Sequence, residues 1–382
     1  MKQKFILTDD SIEIDDSKLY RIKAIRSFGN VKEGDLGGYV ESTKNLSHAG
    51  KCWIYDDACV YENASVFDDA LVEGNAHVYG DSSVYNNAVV EDDAVIYDHA
   101  EIYGDAKVSG NAHIYEHALV YQHGNVSDNC YMFGYARVYG NGEVDGKAYV
   151  YDNARIYGDS YVTNSAKIYG KARVYDEADI TDMCEIHGNA NIHGESNISN
   201  MCEIKDNVEI KGVSDISGVV KISGDCVIDS SDITGTCNIW GIANIIDSDI
   251  SGCFDIGVNA YIDDVRLNGD ASFHEDAYIL NRKDYITLRG FGTEERNTTC
   301  YTTKDNGIHV ICGCFSGSID KFIETVELRK EGKMRDEYLK FAELAKYHFS
   351  NEKDVEQIKE KPKKKRFFFG IKKCKNTNYK KG

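Results

Sequence analysis

The chain has 382 residues, 42% of them apolar and 28% charged, the make-up of an ordinary globular protein with room for a large core. A single Pro against 34 Gly and 26 Tyr is unusual, because irregular loops of normal chemistry would bring many more prolines. Residues 361–382 hold ten Lys/Arg and no acid, so the rest of the chain keeps 34 basic against 63 acidic groups, a net −29, which excludes nucleic acid and anionic membrane as partners of the body.

No window approaches 18 consecutive apolar residues, and the first residues, MKQKFILTDDSIEIDD, have no apolar core or cleavage site of a secretory signal. The expectation is a cytoplasmic protein, peripheral to a membrane at most, with its 12 Cys reduced. Phe5–Leu7 and Leu19–Ile22 read as a small β-hairpin, so residues 1–39 are expected to form an N-terminal β cap.

From Ile54 every sixth residue is aliphatic, through Val60, Val66 and Val72 to Ile228. Of these 30 slots, 29 are Val or Ile and one is Met132. Four residues after each slot comes a small residue: between 58 and 226 these 29 positions hold 17 Ala, four Ser, four Cys, two Gly and two Val. Two after the slot, Gly, Asp or Asn recur. A period of six is not the 3.6 of a helix and leaves no room for a hairpin in each repeat. It fits a short strand on which the slot and the small residue two positions before it face inward, then a corner where Gly, Asn and Asp accept unusual backbone angles. Three such sides close a coil of 18 residues. Beyond Ile228 the slots run Ile233, Ile239, Ile245, then Ile250, Ile256, Ile262, then Leu267, Phe273, Ile279, a loss of one residue per coil. The fold class read here is an all-β solenoid, a parallel β-helix of about 13 coils over residues 40–283, ~60 Å long at ~4.8 Å per rung.

This pattern resembles the hexapeptide-repeat family of left-handed parallel β-helices, which implies the left-handed coil. The run Val31–Val40 with Asn45-Leu46-Ser47 and Cys52-Trp53-Ile54-Tyr55-Asp56 resembles the N-terminal block of uncharacterised bacterial and prophage members catalogued as acyltransferases on the repeat alone. Val310–Gly317 resembles terminal modules of phage and prophage proteins. Residues 284–350 are expected to form a ββαα cap: a hairpin around Asp305-Asn306-Gly307, a helix from Ser318 to about Lys330, and a second over Arg335–Phe349. Residues 351–382 read as a basic disordered tail.

Positions 18 apart stack in columns. The residue after the slot gives one column, Tyr61, Tyr79, Tyr97, Tyr115, Phe133, Tyr151, Tyr169, His187. A second is Phe67, Tyr85, Tyr103, Tyr121, Tyr139, Tyr157, Tyr175, His193, and the third starts at Tyr55 and is polar from Glu73 to Ser199. Beside the second column stand Arg137, Arg155 and Arg173. Stacked aromatics steady a long sheet, and they also offer a strip to a partner protein, a copy of this chain or a glycan, with the Arg column suiting an acidic partner.

Relatives with acyltransferase activity use a His base and an extended loop that completes an acyl-CoA site; the resemblance makes His113 and His117 the candidates for that role, and acyl-CoA the only cofactor to consider. Ten coils pass without an insertion, which argues against such a cleft. Cys52, Cys130, Cys184, Cys202, Cys226 and Cys237 occupy small inward slots as apolar fillers. Cys300, His309, Cys312 and Cys314 are the only weak zinc candidates, with a spacing short of paired CxxC. Lys363, Lys364, Lys365, Arg366, Phe367, Phe368 and Phe369 couple positive charge to apolar bulk, the composition for an anionic membrane surface. The expected function is a non-catalytic scaffold or binding protein acting through the Tyr ladders; the alternatives are an acyltransferase and an end-to-end polymer-forming filament.

Overall fold

The structure, a computed structural model, describes residues 2–218, the strands and a few flanking positions between 221 and 263, and residues 271–274, 276–292 and 297–350. Two-residue strands recur every six residues, as in Cys59–Val60, Ser65–Val66 and Leu71–Val72. They stack into three parallel sheets of 16, 13 and 12 strands, the first two strands of the largest being the antiparallel N-terminal hairpin. The first face carries Cys59–Val60 and its repeats, the second Ser65–Val66, the third Leu71–Val72. Each rung bonds to the rung one turn on, for example Leu71 N to Ala88 O at 2.9 Å and Tyr85 N to Ile102 O at 3.0 Å. The class expected from the period, a parallel β-solenoid between an N-terminal β element and a C-terminal α+β unit, is the class observed.

The interior is built as the sequence implies. Slot and small residue both vanish from solvent, as Val60 with Ala58 and Ile114 with Ala112, each at 0% exposure. Three β-branched and three small side chains fill each triangular cross-section, and every buried Val or Ile stabilises by about 1.5–3 kcal/mol. The shortening to 17 residues is visible in the pairing: Ile198 lies opposite Ile216, and Ile216 then lies opposite Ile233.

At the corners, every position two after a slot from Asp56 to Gly218 has positive φ, and those that are not Gly are Asp, Asn, Glu or Gln. These acids do more than tolerate the angle. The Glu62 carboxylate accepts the Gly80 N–H at 2.8 Å, Asp92 that of Gly110 at 3.0 Å, Glu116 that of Gly134 at 2.8 Å and Asp128 that of Gly146 at 3.2 Å. Each acid thus satisfies a corner amide one turn on that no strand reaches. Part of the acidity of the body is therefore structural.

The N-terminal hairpin is longer than expected, with β1 at Phe5–Ile14 and β2 at Ser17–Ala24, joined by a tight turn at Asp15 with φ 53°. β3, Leu36–Val40, pairs antiparallel with β2 and parallel with Cys59–Val60, converting the hairpin into the first rung. Arg21 fastens it: its guanidinium lies 4.3 Å from the Tyr39 ring centre and donates to Tyr39 Oη and Asp57 Oδ1, both at 2.7 Å.

The C-terminal unit has four strands where two were expected. Tyr285–Leu288, Thr298–Thr302, Ile308–Cys312 and Phe315–Ser318 form one antiparallel sheet. The fourth follows a sharp reversal at Gly313, φ 58°. α1 spans Ile319–Arg329 with the Ser318 hydroxyl accepting from Lys321 N. α2 spans Gly332–His348, starting three residues before the expected Arg335. The sheet docks on the last rungs: Tyr301 packs against Phe273 and its hydroxyl meets the His274 carbonyl, while Thr302 Oγ1 donates to Tyr278 O at 2.8 Å. No helix among the described residues is long and apolar enough to cross a membrane.

Candidate interaction surface

The two aromatic columns exist as continuous stacks. On the second face Phe67, Tyr85, Tyr103 and Tyr121 follow at 4.8, 4.9 and 5.0 Å between ring centres, with planes within 7°. Tyr139, Tyr157, Tyr175 and His193 continue at 4.8, 4.8, 4.8 and 4.6 Å. The first-face column runs equally from Tyr61 to His187. Parallel strands set the spacing, so the rings meet face to face.

The two ladders differ in what covers them. Leu19, Tyr39, Cys59 and Tyr61 form one buried cluster, with Ile12, Ile14 and Tyr79 packed against it. The hairpin therefore occupies the start of the first ladder, and Tyr61 is only 5% exposed. The second-face rings from Phe67 to His193 are half-buried along their whole length. Burial first, then neighbouring phenols and acids, pushes the pKa values of Tyr97 and Tyr151 up to about 12. For Tyr85 burial acts first, and its hydrogen bond to Glu101 Oε2 at 2.9 Å adds to the rise.

Beside the second ladder, Arg137, Arg155 and Arg173 stand opposite one another on successive rungs. Their positive charge opposes the rise of the Tyr121 and Tyr157 pKa values, which burial dominates. Among the described residues none of the three has a carboxylate within ion-pair distance. Like charges directly opposite across a sheet destabilise it. At ~4.8 Å two unit charges repel by about 0.9 kcal/mol even at the dielectric of water. Exposed Lys171 lies at the corner leading into the Arg173 rung. The strip is a local reversal of sign on an acidic body.

The histidines are drawn into columns as well. His113 stacks on Tyr131 at 5.0 Å, and burial lowers its pKa, so it stays neutral at pH 7. His117 lies in an exposed corner stack between His99 and Tyr135, each at 4.9 Å. Each ring is held by its stack, and neither is brought into a cleft. Depressions of about 520 and 500 Å³ lie on the C-terminal unit, lined by residues such as Cys314 and Phe322, and Thr303 and His309. A third of about 400 Å³ lies at the Asn164–Met183–Met201 corner.

The four zinc candidates separate. Strand alternation puts Cys300 and half-buried Cys312 toward the helices, while His309 stacks on Tyr301 on the opposite sheet face and its Nε2 lies 2.8 Å from Ser316 Oγ. Cys314 is exposed, and no group of three metal-ligating side chains occurs among the described residues. Cys52, Cys130, Cys184 and Cys202 are buried as expected of fillers. Cys226, the Cys237 side chain and the basic tail from Lys363 to Phe369 lie outside the described residues.

Sequence reasoning missed the corner carboxylates as hydrogen-bond acceptors. The signal was present in the column Asp56, Gly74, Asp92, Gly110, Asp128, Gly146, where acid and glycine alternate at a spacing of 18. It also missed that the hairpin lies on the first ladder. Compared with protein-family models and with curated proteins, the chain matches none of either.

Proposed function

We propose that the protein is a non-catalytic β-solenoid scaffold whose second-face Tyr ladder binds a partner macromolecule or another copy of the chain. The observation that carries this reading is the contrast between the ladders: one is started under its own hairpin, while the other stays open beside an uncompensated arginine column. A stacked column is rigid before it binds, so docking on it freezes few rotamers. The uniform corners from Asp56 to Gly218 support the same reading, because they leave the faces flat. Stacked His113 and His117 lend no support to acyl transfer.

The test is the quadruple replacement of Tyr103, Tyr121, Tyr139 and Tyr157 by Ser. Loss of the oligomer in sedimentation, or of a co-purifying partner, with the β-sheet circular dichroism kept, is the expected result. A lower melting temperature with unchanged association would overturn the proposal and leave the ladder a structural device. Saturable binding heat on titrating acetyl-CoA, abolished by His117→Ala, would replace the scaffold reading with an enzymatic one.

A further inference from the structure

The second face has two charged edges with the ladder between them. On the edge entering the face stand Arg137, Arg155 and Arg173. On the corner leaving it, within the same turns, stand exposed Asp159 and Glu177, four residues after Arg155 and Arg173. Tyr157 and Tyr175 lie between these edges on the same turns. The Arg155 and Arg173 turns therefore present plus, aromatic, minus across their width.

We propose that the occupant of this face is a second copy of the chain, packed ladder on ladder with the two solenoids parallel. This rests on the ladder being a binding surface, and adds the partner and its orientation. The symmetry follows from the edges. A two-fold axis along the solenoid brings the positive edge of one copy over the negative edge of the other at the same height. Arg155 then meets Asp159 of the second copy, Arg173 meets Glu177, and both pairs occur twice. A two-fold axis across the solenoid sets arginine on arginine and acid on acid, so charge alone rejects the antiparallel pair. Spacing favours a copy over an unrelated protein, because an identical solenoid carries its charges at an identical rung repeat. At physiological ionic strength the Debye length of about 8 Å screens repulsion between the acidic bodies while leaving contacting pairs effective.

The experiment compares wild type with two double variants, Arg155→Glu/Arg173→Glu and Asp159→Lys/Glu177→Lys, by sedimentation velocity. All replaced side chains lie outside the core, and circular dichroism checks that each variant folds. Each variant alone is expected to self-associate at least tenfold more weakly than wild type, and their equimolar mixture to regain wild-type affinity. The variant carrying the two Glu replacements is expected to pair poorly with wild type, since its new acids face wild-type acids. A mixture tighter than wild type, or tight pairing of that variant with wild type, would show antiparallel packing and overturn the proposal. Self-association indifferent to both variants would overturn it too. If wild type is monomeric but the Tyr→Ser variant loses a different protein from the native host, self-pairing falls while the scaffold function stands.

Discussion

Lys4 Nζ lies 2.8 Å from the Cys52 carbonyl and 3.1 Å from Cys52 Sγ, with the whole lysine at 0% exposure. It also donates to Ala49 O at 3.3 Å, while its own carbonyl accepts from Ile25 N at 2.9 Å. The ammonium thus pins β1 to the first turn across 48 residues, under a lid made by Phe5, Phe28 and Trp53. Burial lowers the Lys4 pKa and raises that of the Cys52 thiol, with each group partly offsetting the other's shift.

Lys4→Ala is expected to destabilise the protein by about 2 kcal/mol, because it takes the lysine donor from the buried Cys52 carbonyl and opens a cavity. The pH dependence has a definite sign. A lysine whose folded pKa lies below 10.5 takes up a proton on unfolding in the window between the two values. Its contribution to stability therefore rises with pH across that window. Denaturant titrations should show this rise in wild type relative to Lys4→Met; identical pH profiles would mean that the lysine is not buried as described.

The ladders predict the opposite trend at higher pH. Tyr97 and Tyr151 titrate near 12 in the folded chain against 10 in the unfolded one, both through burial first and neighbouring phenols second. A raised pKa gives stability that is whole below pH 10 and is lost as pH climbs toward 12. Phenolate absorbance should therefore appear together with the loss of the β-sheet signal. Smooth ionisation of ladder tyrosines near pH 10 with the fold intact would contradict the stacked burial.

At the corners, Asp128 has φ 58° and its carboxylate accepts the Gly146 N–H at 3.2 Å. Asp128→Ala keeps the strained angle and loses the acceptor, so it should cost about 1–2 kcal/mol in thermal or urea unfolding. Asp128→Asn keeps an oxygen in place and should stay close to wild type. Equal losses for both would mean that charge, not the accepted N–H, is what the corner needs.

How far the fold was legible follows from where its information lies. The six-residue period is repeated so often that one strand and one corner specify ten turns, and even the missing residue after Ile216 shows as a changed spacing. Lys4 is different. In the sequence it is one of two lysines flanking Gln3, and nothing local says that it ends inside the core beside Cys52. The extra strands Tyr285–Leu288 and Phe315–Ser318 are only four residues each and exist because the sheet between them supplies partners. The ladders could be read as columns, but their difference could not: it depends on Ile12 and Ile14, some fifty residues before the Tyr61 they pack on.

The tightness of the small inward slot gives a core test. Ala112 is at 0% exposure, with Ala94 and Cys130 one turn away on either side, also at 0%. Ala112→Leu should destabilise by about 1–3 kcal/mol through overpacking. A tolerated leucine would imply an interior looser than the one described.

The same packing fixes thiol chemistry. Burial pushes the Cys130 thiol up to about 12 and the Cys59 thiol up to about 11, so neither forms appreciable thiolate at pH 8. Cys314 is exposed at the tight turn between two strands of the C-terminal sheet. Timed alkylation with N-ethylmaleimide at pH 8, followed by peptide mapping, should modify Cys314 first. Cys59 and Cys130 should react only at the rate at which the solenoid opens, and urea should accelerate them steeply while leaving Cys314 nearly unchanged. Cys59 lies under the hairpin and Cys130 about four turns further along the solenoid, so comparing their rates reads the order of opening. If Cys59 reacts ahead of Cys130, the hairpin lifts before the coils separate; equal rates mean that the cap and the first turns open as one unit. Labelling of Cys130 as fast as Cys314 in native buffer would show that the slot is not the closed filler position its burial implies.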